Sequence, residues 1–234
     1  MEGFNQLLAA TVLFVGGHFL LSARPLRGEL IHRIGDKAFR LVYSAIAVGA
    51  FVWMGISYGK APTVVLWTAP AALYWVPLLV MPVAFILAVA GLTTRSPTAM
   101  GGEVLLDGSQ NPAPGILRVT RHPFLWAVAL WAASHILVNG YLASLIMMGG
   151  LLILSLGGMR HIDRRREDGL GSAWGPMKLT TSALPFAALA SRRTSMDWKG
   201  LGWWRPALGL AAYIIFLGGH LHIFGVSPFP AGFG

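Results

Sequence analysis

The chain has 234 residues, 55% of them hydrophobic and only 12% charged, and its mean hydropathy is +0.63. An ordinary soluble domain, with roughly a quarter of its residues charged, is excluded. Eighteen Lys and Arg against nine Asp and Glu give a net charge of +9, and the absence of cysteine excludes disulfides, thiolate zinc sites, iron–sulfur clusters and covalent haem attachment.

The composition reads as an all-α integral membrane protein, a single domain over residues 1–234 with about six transmembrane helices. The first apolar run, Asn5–Ala23, holds no Lys or Arg and has its basic residues after it, so it reads as a retained helix rather than a secretory signal. It carries His18 within GGHFLLS, where Gly16 and Gly17 leave room for a neighbouring helix or a flat ring. A basic loop from Arg24 to Arg40, with His32 exposed in it, is expected next, followed by spans at Ala38–Tyr58 and Ala72–Leu92. The stretch Thr93–Arg121 is rich in Gly, Pro and Ser, which predicts an ordered loop with little regular structure before Ile116.

At Arg121-His122-Pro123 the proline suits the first turn of a helix, and Pro123–Val138 follows as a short fourth span carrying His135. Only Asn139 and Gly140 separate it from the fifth, Tyr141–Gly158, so the two are expected to form a tight hairpin that does not cross completely. The run Asp163–Asp168 (DRRRED) reads as the solvated stop of helix five, or else as guanidinium groups that neutralise an anion. A short interfacial helix is predicted around Ala183–Ala190, and Trp198, Trp203 and Trp204 suit the headgroup level. The last span, Pro206–Gly225, carries His220 in a second GGH.

Seventeen of the eighteen Lys and Arg fall in the loops after helices one, three and five, and only Lys60 lies in the other set. By the positive-inside rule those loops are cytoplasmic and both termini extracytoplasmic, in a multi-pass protein of a bacterial inner membrane. The pI of about 10.7 is then explained by anionic membrane lipids as partners, and no nucleic acid is expected.

Three histidines in apolar stretches set the chemical question, because an unsatisfied imidazole in hydrocarbon costs several kcal/mol. His135 lies roughly 20 Å beyond His122 along a helix, His18 about 9 Å from Arg24 and His220 about 22 Å from Arg205, so depth alone pairs His135 with His220. Each is a ligand, a relay or a neutral group bonded to backbone. Arg121 and His122 are either interfacial side chains or an anion site at a helix N-terminus, able to hold a propionate, phosphate or carboxylate.

GILRVTRHPFLWAVALWAASHILVNG, the DRR that follows and TSALPFAAL resemble the core of the NnrU family, which includes plant 15-cis-zeta-carotene isomerase; HFLLSARPLR and HLHIFGVSPF extend the likeness along the chain. The resemblance implies a haem b membrane protein with His18 and His135 as iron ligands, Arg121, His122 and His220 being the further cofactor-site residues of this reading. It implies a cis–trans isomerase acting on a lipophilic polyene. The alternative is electron transfer or nitric oxide handling in support of denitrification, with a redox partner or a gas ligand. Where the isomerase carries a cysteine three residues before the second histidine, this chain has Ala132, so a thiolate ligand is impossible. A membrane methyltransferase is a further alternative because RHP occurs there too, and a haem-free structural role is another.

Overall fold

A computed structural model of the chain describes residues 2–99, 101–106 and 112–230. It is an all-α membrane protein. The long helices are α1 (Glu2–Ser22), α3 (Asp36–Lys60), α4 (Trp75–Thr93), α5 (Pro123–Val138), α6 (Leu142–Leu170) and α10 (Trp204–Phe224), with α2 (Arg24–Ile34), α7 (Gly175–Thr180), α8 (Ala187–Ala190) and α9 (Trp198–Leu201) as shorter pieces. Among the described residues five helical stretches are long and apolar enough to cross a membrane, and α5 is a shorter apolar helix. The six expected spans thus appear as five full-length helices and one short one, with α5 and α6 joined by the tight turn at Asn139–Tyr141. The only pairing between extended segments among the described residues is an isolated bridge from Val65 to Tyr141. Apolar side chains such as Ile214, Ile215 and Phe216 on α10 point outward, the arrangement lipid requires once the backbone is satisfied inside each helix.

Two compact units divide the chain. The first comprises residues 1–69 and 135–154, the second 70–134 and 155–234. In the first, α1 packs along α3. Gly3 sits against the Lys60 carbonyl and Pro62, Tyr58 Oη and Ser144 Oγ share a hydrogen bond of 3.0 Å, and the Gly140 carbonyl accepts from Leu66 N at 2.7 Å. One end of this unit is therefore built from the start of α1, the end of α3 and the α5–α6 turn. Gly140 must be glycine, because a Cβ there would overlap the Trp67 carbonyl.

In the second unit α10 packs along α4, and Gly209 lets the helices approach until a Cβ would stand 2.7 Å from Ile86 Cα. Arg205 caps the end of α4 through Thr93 Oγ1 at 3.0 Å and also donates to the Leu201 carbonyl at 2.6 Å. Trp174, Met177, Leu117 and Ile116 form the centre of a small core beneath the loops.

Three local expectations are revised. The basic stretch after α1 is a helix, α2, rather than a loop: Pro25 occupies its first turn, Glu29 pairs with Arg33 at 2.7 Å, and Gly35 at φ 80° ends it. His32 is exposed on this helix. The interfacial helix expected over Ala183–Ala190 is confined to α8, because Ser182–Phe186 runs as a strap bonded to the residues before α5. Before Ile116 there is a 3-10 turn at Gly102–Leu106, and a second, Gly115–Arg118, spans that residue; residues 100 and 107–111 of that loop lie outside the described residues.

Candidate functional site

A histidine in an apolar helix has its nearest acceptor in the carbonyl one turn back, and His18 uses it: Nδ1–H donates to the Phe14 carbonyl at 2.6 Å. That bond fixes the tautomer and leaves Nε2 as the basic nitrogen, the arrangement found in metal-bound imidazoles. Phe14 and Tyr43 hold the ring, with centroids 4.5 Å and 5.5 Å away. His18 lines a small, open apolar recess between α1 and α3, whose walls include Leu13, Leu21 and Ile46 and the small residues Gly17, Ala47 and Ala50. No atom lies within 4 Å of a Cβ built at Gly16 or Gly17, so a flat group has room on that flank.

His135 belongs to the same unit as His18, and His220 to the other. Tyr43 and His18 stand level, each fifteen residues from the end formed by Gly3 and Tyr58, or about 22 Å along the helices. His135 is five residues from Gly140, about 7 Å from that end. Helical side chains lean toward their own N-terminus, so the imidazoles of His18 on α1 and His135 on the antiparallel α5 tilt toward each other's level. His220 Nδ1 donates to the Val226 carbonyl at 2.9 Å beyond the end of α10, and its ring meets Phe224 at 4.8 Å.

The second polar constellation lies at the start of α5. His122 is buried, and its Nε2 meets Asp163 Oδ1 of α6 at 2.8 Å. Arg121 is buried beside it, with Nε 3.6 Å from Asp163 Oδ2 and no hydrogen-bond partner for Nε. The group this helix start holds is thus a carboxylate of the chain itself. Burial pulls the Arg121 guanidinium below its usual pKa; Asp163 opposes that shift and Arg193 adds to it. Around the pair, Arg121 N donates to the Ser182 carbonyl at 2.9 Å. Thr120 Oγ1 and Trp126 Nε1 both donate to the Ala183 carbonyl, at 2.8 and 2.7 Å. Thr98 Oγ1 donates to the Arg121 carbonyl at 3.1 Å, and Arg166 Nη2 to the adjacent Ala99 carbonyl at 2.5 Å.

Asp163 and Arg166 belong to the DRRRED run read from sequence as a helix stop or a guanidinium cluster, without individual roles, and Tyr43 is not among the sequence candidates. The first two are three residues apart in DRRRED and so share a helix face, which was a readable signal, whereas Tyr43 carried none. Among the described residues no three His, Cys, Asp or Glu side chains converge as a metal cage. A haem asks less of the protein, one or two axial imidazoles and apolar walls. His18 meets the ligand part of that demand through its tautomer and the open flank at Gly16 and Gly17.

The family described as NnrU protein matches residues 6–228. A stretch of 82 residues is 34% identical to the chloroplastic 15-cis-zeta-carotene isomerase of Zea mays, covering 35% of this chain and 22% of that protein. The corresponding protein of Arabidopsis thaliana is 34% identical over 79 residues, 34% of this chain and 22% of its own length. The match therefore spans about a fifth of these relatives. No solved structure matches the chain.

Proposed function

Since the chain belongs to the NnrU family, we propose that it is a haem b membrane protein that isomerises a cis double bond in a lipophilic polyene resembling 15-cis-zeta-carotene. The observation that carries the reading is the His18 imidazole, pinned through Nδ1 to the Phe14 carbonyl and set in an apolar recess. The likeness to the two plant isomerases supplies the substrate class.

Bound there, the haem would supply an iron able to lower the barrier to rotation about a conjugated double bond. The protein's part is to hold and to exclude. His18 would hold the iron through Nε2, with Phe14 and Tyr43 limiting rotation of its ring. Leu13, Leu21 and Ile46 would present an apolar surface to the polyene. His135 is the second ligand in this reading, leaning from the far end of the same unit. Ala132, one turn before it, is fully buried and brings no donor. The protein works as a multi-pass protein of a bacterial inner membrane with both termini outside, as the seventeen-to-one split of its basic residues supports.

The test is a spectrum followed by an assay. Protein purified from haem-replete cells is expected to show a Soret band and a pyridine haemochrome of the b type, and to convert 15-cis-zeta-carotene under reducing conditions. A colourless protein that stays colourless after haem supplementation rejects the cofactor. A haem protein that leaves the polyene unchanged but shifts its reduced spectrum with nitric oxide transfers the reading to gas handling.

A further inference from the structure

A proline inside a membrane helix takes the donor away from one carbonyl, and that oxygen must be satisfied from elsewhere. Pro82 stands in the interior of α4. It has no N–H to give the carbonyl four residues back, that of Leu78, and its ring crowds the same oxygen out of line. In hydrocarbon an acceptor left in this way costs several kcal/mol. The donor comes from another helix: Tyr213 Oη of α10 donates to the Leu78 carbonyl at 3.0 Å. α10 thus supplies a bond that α4 is unable to make within itself.

The two arms of α4 on either side of that proline are held differently. Beyond Pro82, toward the end of the helix, α10 is fastened several times over. Arg205 donates to Thr93 at both Oγ1 and the carbonyl, Gly209 lies against Ile86, and Phe85 meets Tyr213 and Phe216 with ring centroids 6.0 and 5.4 Å away. Before Pro82 the bond from α10 is made by the Tyr213 hydroxyl, which reaches back past the proline to the first turns of α4. Leu79 on that arm turns outward and is 72% exposed. Proline is the common site of a sharp bend in a helix. One arm packed closely and the other tied through a hydroxyl across the bend is the geometry of a hinge with a catch.

We infer that Pro82 and Tyr213 form a latch: α4 has a hinge at the proline, and the Tyr213 hydroxyl holds it closed by standing in for the N–H that the proline lacks. Release of the hydroxyl frees residues 75–81 to swing about Pro82 while residues 83–93 stay against α10. The latch lies wholly within the second unit. It involves neither His18 nor the iron proposed there, and its test needs no haem.

Because the chain has no cysteine, pairs of nitroxide spin labels can be placed on the full-length protein without other changes. Leu79→Cys with Ile214→Cys reports on the arm before the proline, and Leu92→Cys with Leu208→Cys on the packed arm, all four side chains being at least half exposed. Label-to-label distance distributions are compared between the parent and Tyr213→Phe, which keeps the ring and removes the hydroxyl. The first pair is expected to at least double in width, and the second to stay as it is in the parent. Pro82→Ala gives the Leu78 carbonyl a donor within its own helix, so adding Tyr213→Phe to that variant should leave the first pair narrow; Pro82→Leu serves the same purpose if the alanine variant does not fold. The unfolding midpoint should follow, falling by about 3 °C for Tyr213→Phe in the parent and by less than about 1 °C beside the proline replacement. The inference is overturned if Tyr213→Phe leaves the first pair unchanged, if both pairs broaden alike, or if the broadening persists once Pro82 has been replaced.

Discussion

His18 and His122 are both histidines shielded from water, one partly and one fully, and the two units satisfy them in opposite ways. In the first unit the bond is local, from Nδ1 to a carbonyl four residues back in the same helix, and the other nitrogen is left for whatever enters the recess. In the second the bond reaches a carboxylate 41 residues away, so the imidazole is used in joining α5 to α6. An internal hydrogen bond to backbone leaves a ligand; a bond to a distant carboxylate makes a lock. The same residue type in similar surroundings thus carries different work, and the difference lies in the partner's position along the chain.

The largest effect is expected where that contrast is sharpest. His18→Ala should abolish the b-type spectrum while the helical content and midpoint stay close to the parent's, because the side chain is held by its own helix and by two rings. Retained haem with an unaltered Soret band would remove the first unit's claim to the cofactor. In the second unit Asp163→Asn should leave the spectrum alone and destabilise the fold. The buried Arg121 and His122 lose their counter-charge, and removing one partner of a buried pair costs about 3 kcal/mol, less here because Asp163 is partly exposed. About 2 kcal/mol is expected, or a fall of roughly 5 °C in the unfolding midpoint for a chain of this size. A variant that loses its haem but keeps its midpoint would reverse the roles assigned to the two units.

What the sequence shows follows the same division between local and distant causes. The apolar runs Asn5–Ala23 and Pro206–Gly225 meet α1 and α10 within three residues at each end, because a membrane span is set by length and polarity within one segment. Likewise the α5–α6 hairpin follows from Asn139 and Gly140, two residues that leave no other connection. By contrast α2 escapes because RPLRGELIHRI has no apolar face to reveal a period, and its stop depends on one glycine at positive φ. Asp163 escapes because nothing near it in the chain indicates that His122 will be its partner. The strap at Ser182–Phe186 reads as helix in composition and is held in an irregular turn by hydrogen bonds to residues some sixty positions earlier.

A smaller effect is expected at His135. It shares the unit of His18 but stands about 15 Å nearer one end of it along the helices, so in the proposed reading it would be the weaker ligand. His135→Ala should keep the haem and change its spectrum from six- to five-coordinate, with tighter binding of an added exogenous ligand such as imidazole. Loss of haem equal to that in His18→Ala would show two equivalent ligands and require the helices to shift along each other from the register that Thr11 and Gly150 set where α1 meets α6.

The smallest effect is expected at His220, the residue that depth alone pairs with His135. Its Nδ1 hydrogen is committed to the Val226 carbonyl just past the end of α10, and its ring rests on Phe224. Those are the contacts of a C-terminal helix cap, where a histidine also meets the negative end of the helix dipole. Like His18 it keeps Nε2 as the basic nitrogen, so tautomer alone does not separate the two. The surroundings do: the His18 ring is held between Phe14 and Tyr43 in a small recess against α3, whereas His220 lies among exposed residues, Leu221 and Ile223 being more than half open. His220→Ala should therefore leave the Soret band in place and lower the midpoint by no more than about 0.5–1 kcal/mol of stability, the worth of one exposed cap bond. A bleached spectrum in this variant, with His18→Ala still coloured, would move the iron to the second unit and make the His18 bond to Phe14 no more than the local satisfaction of a buried imidazole.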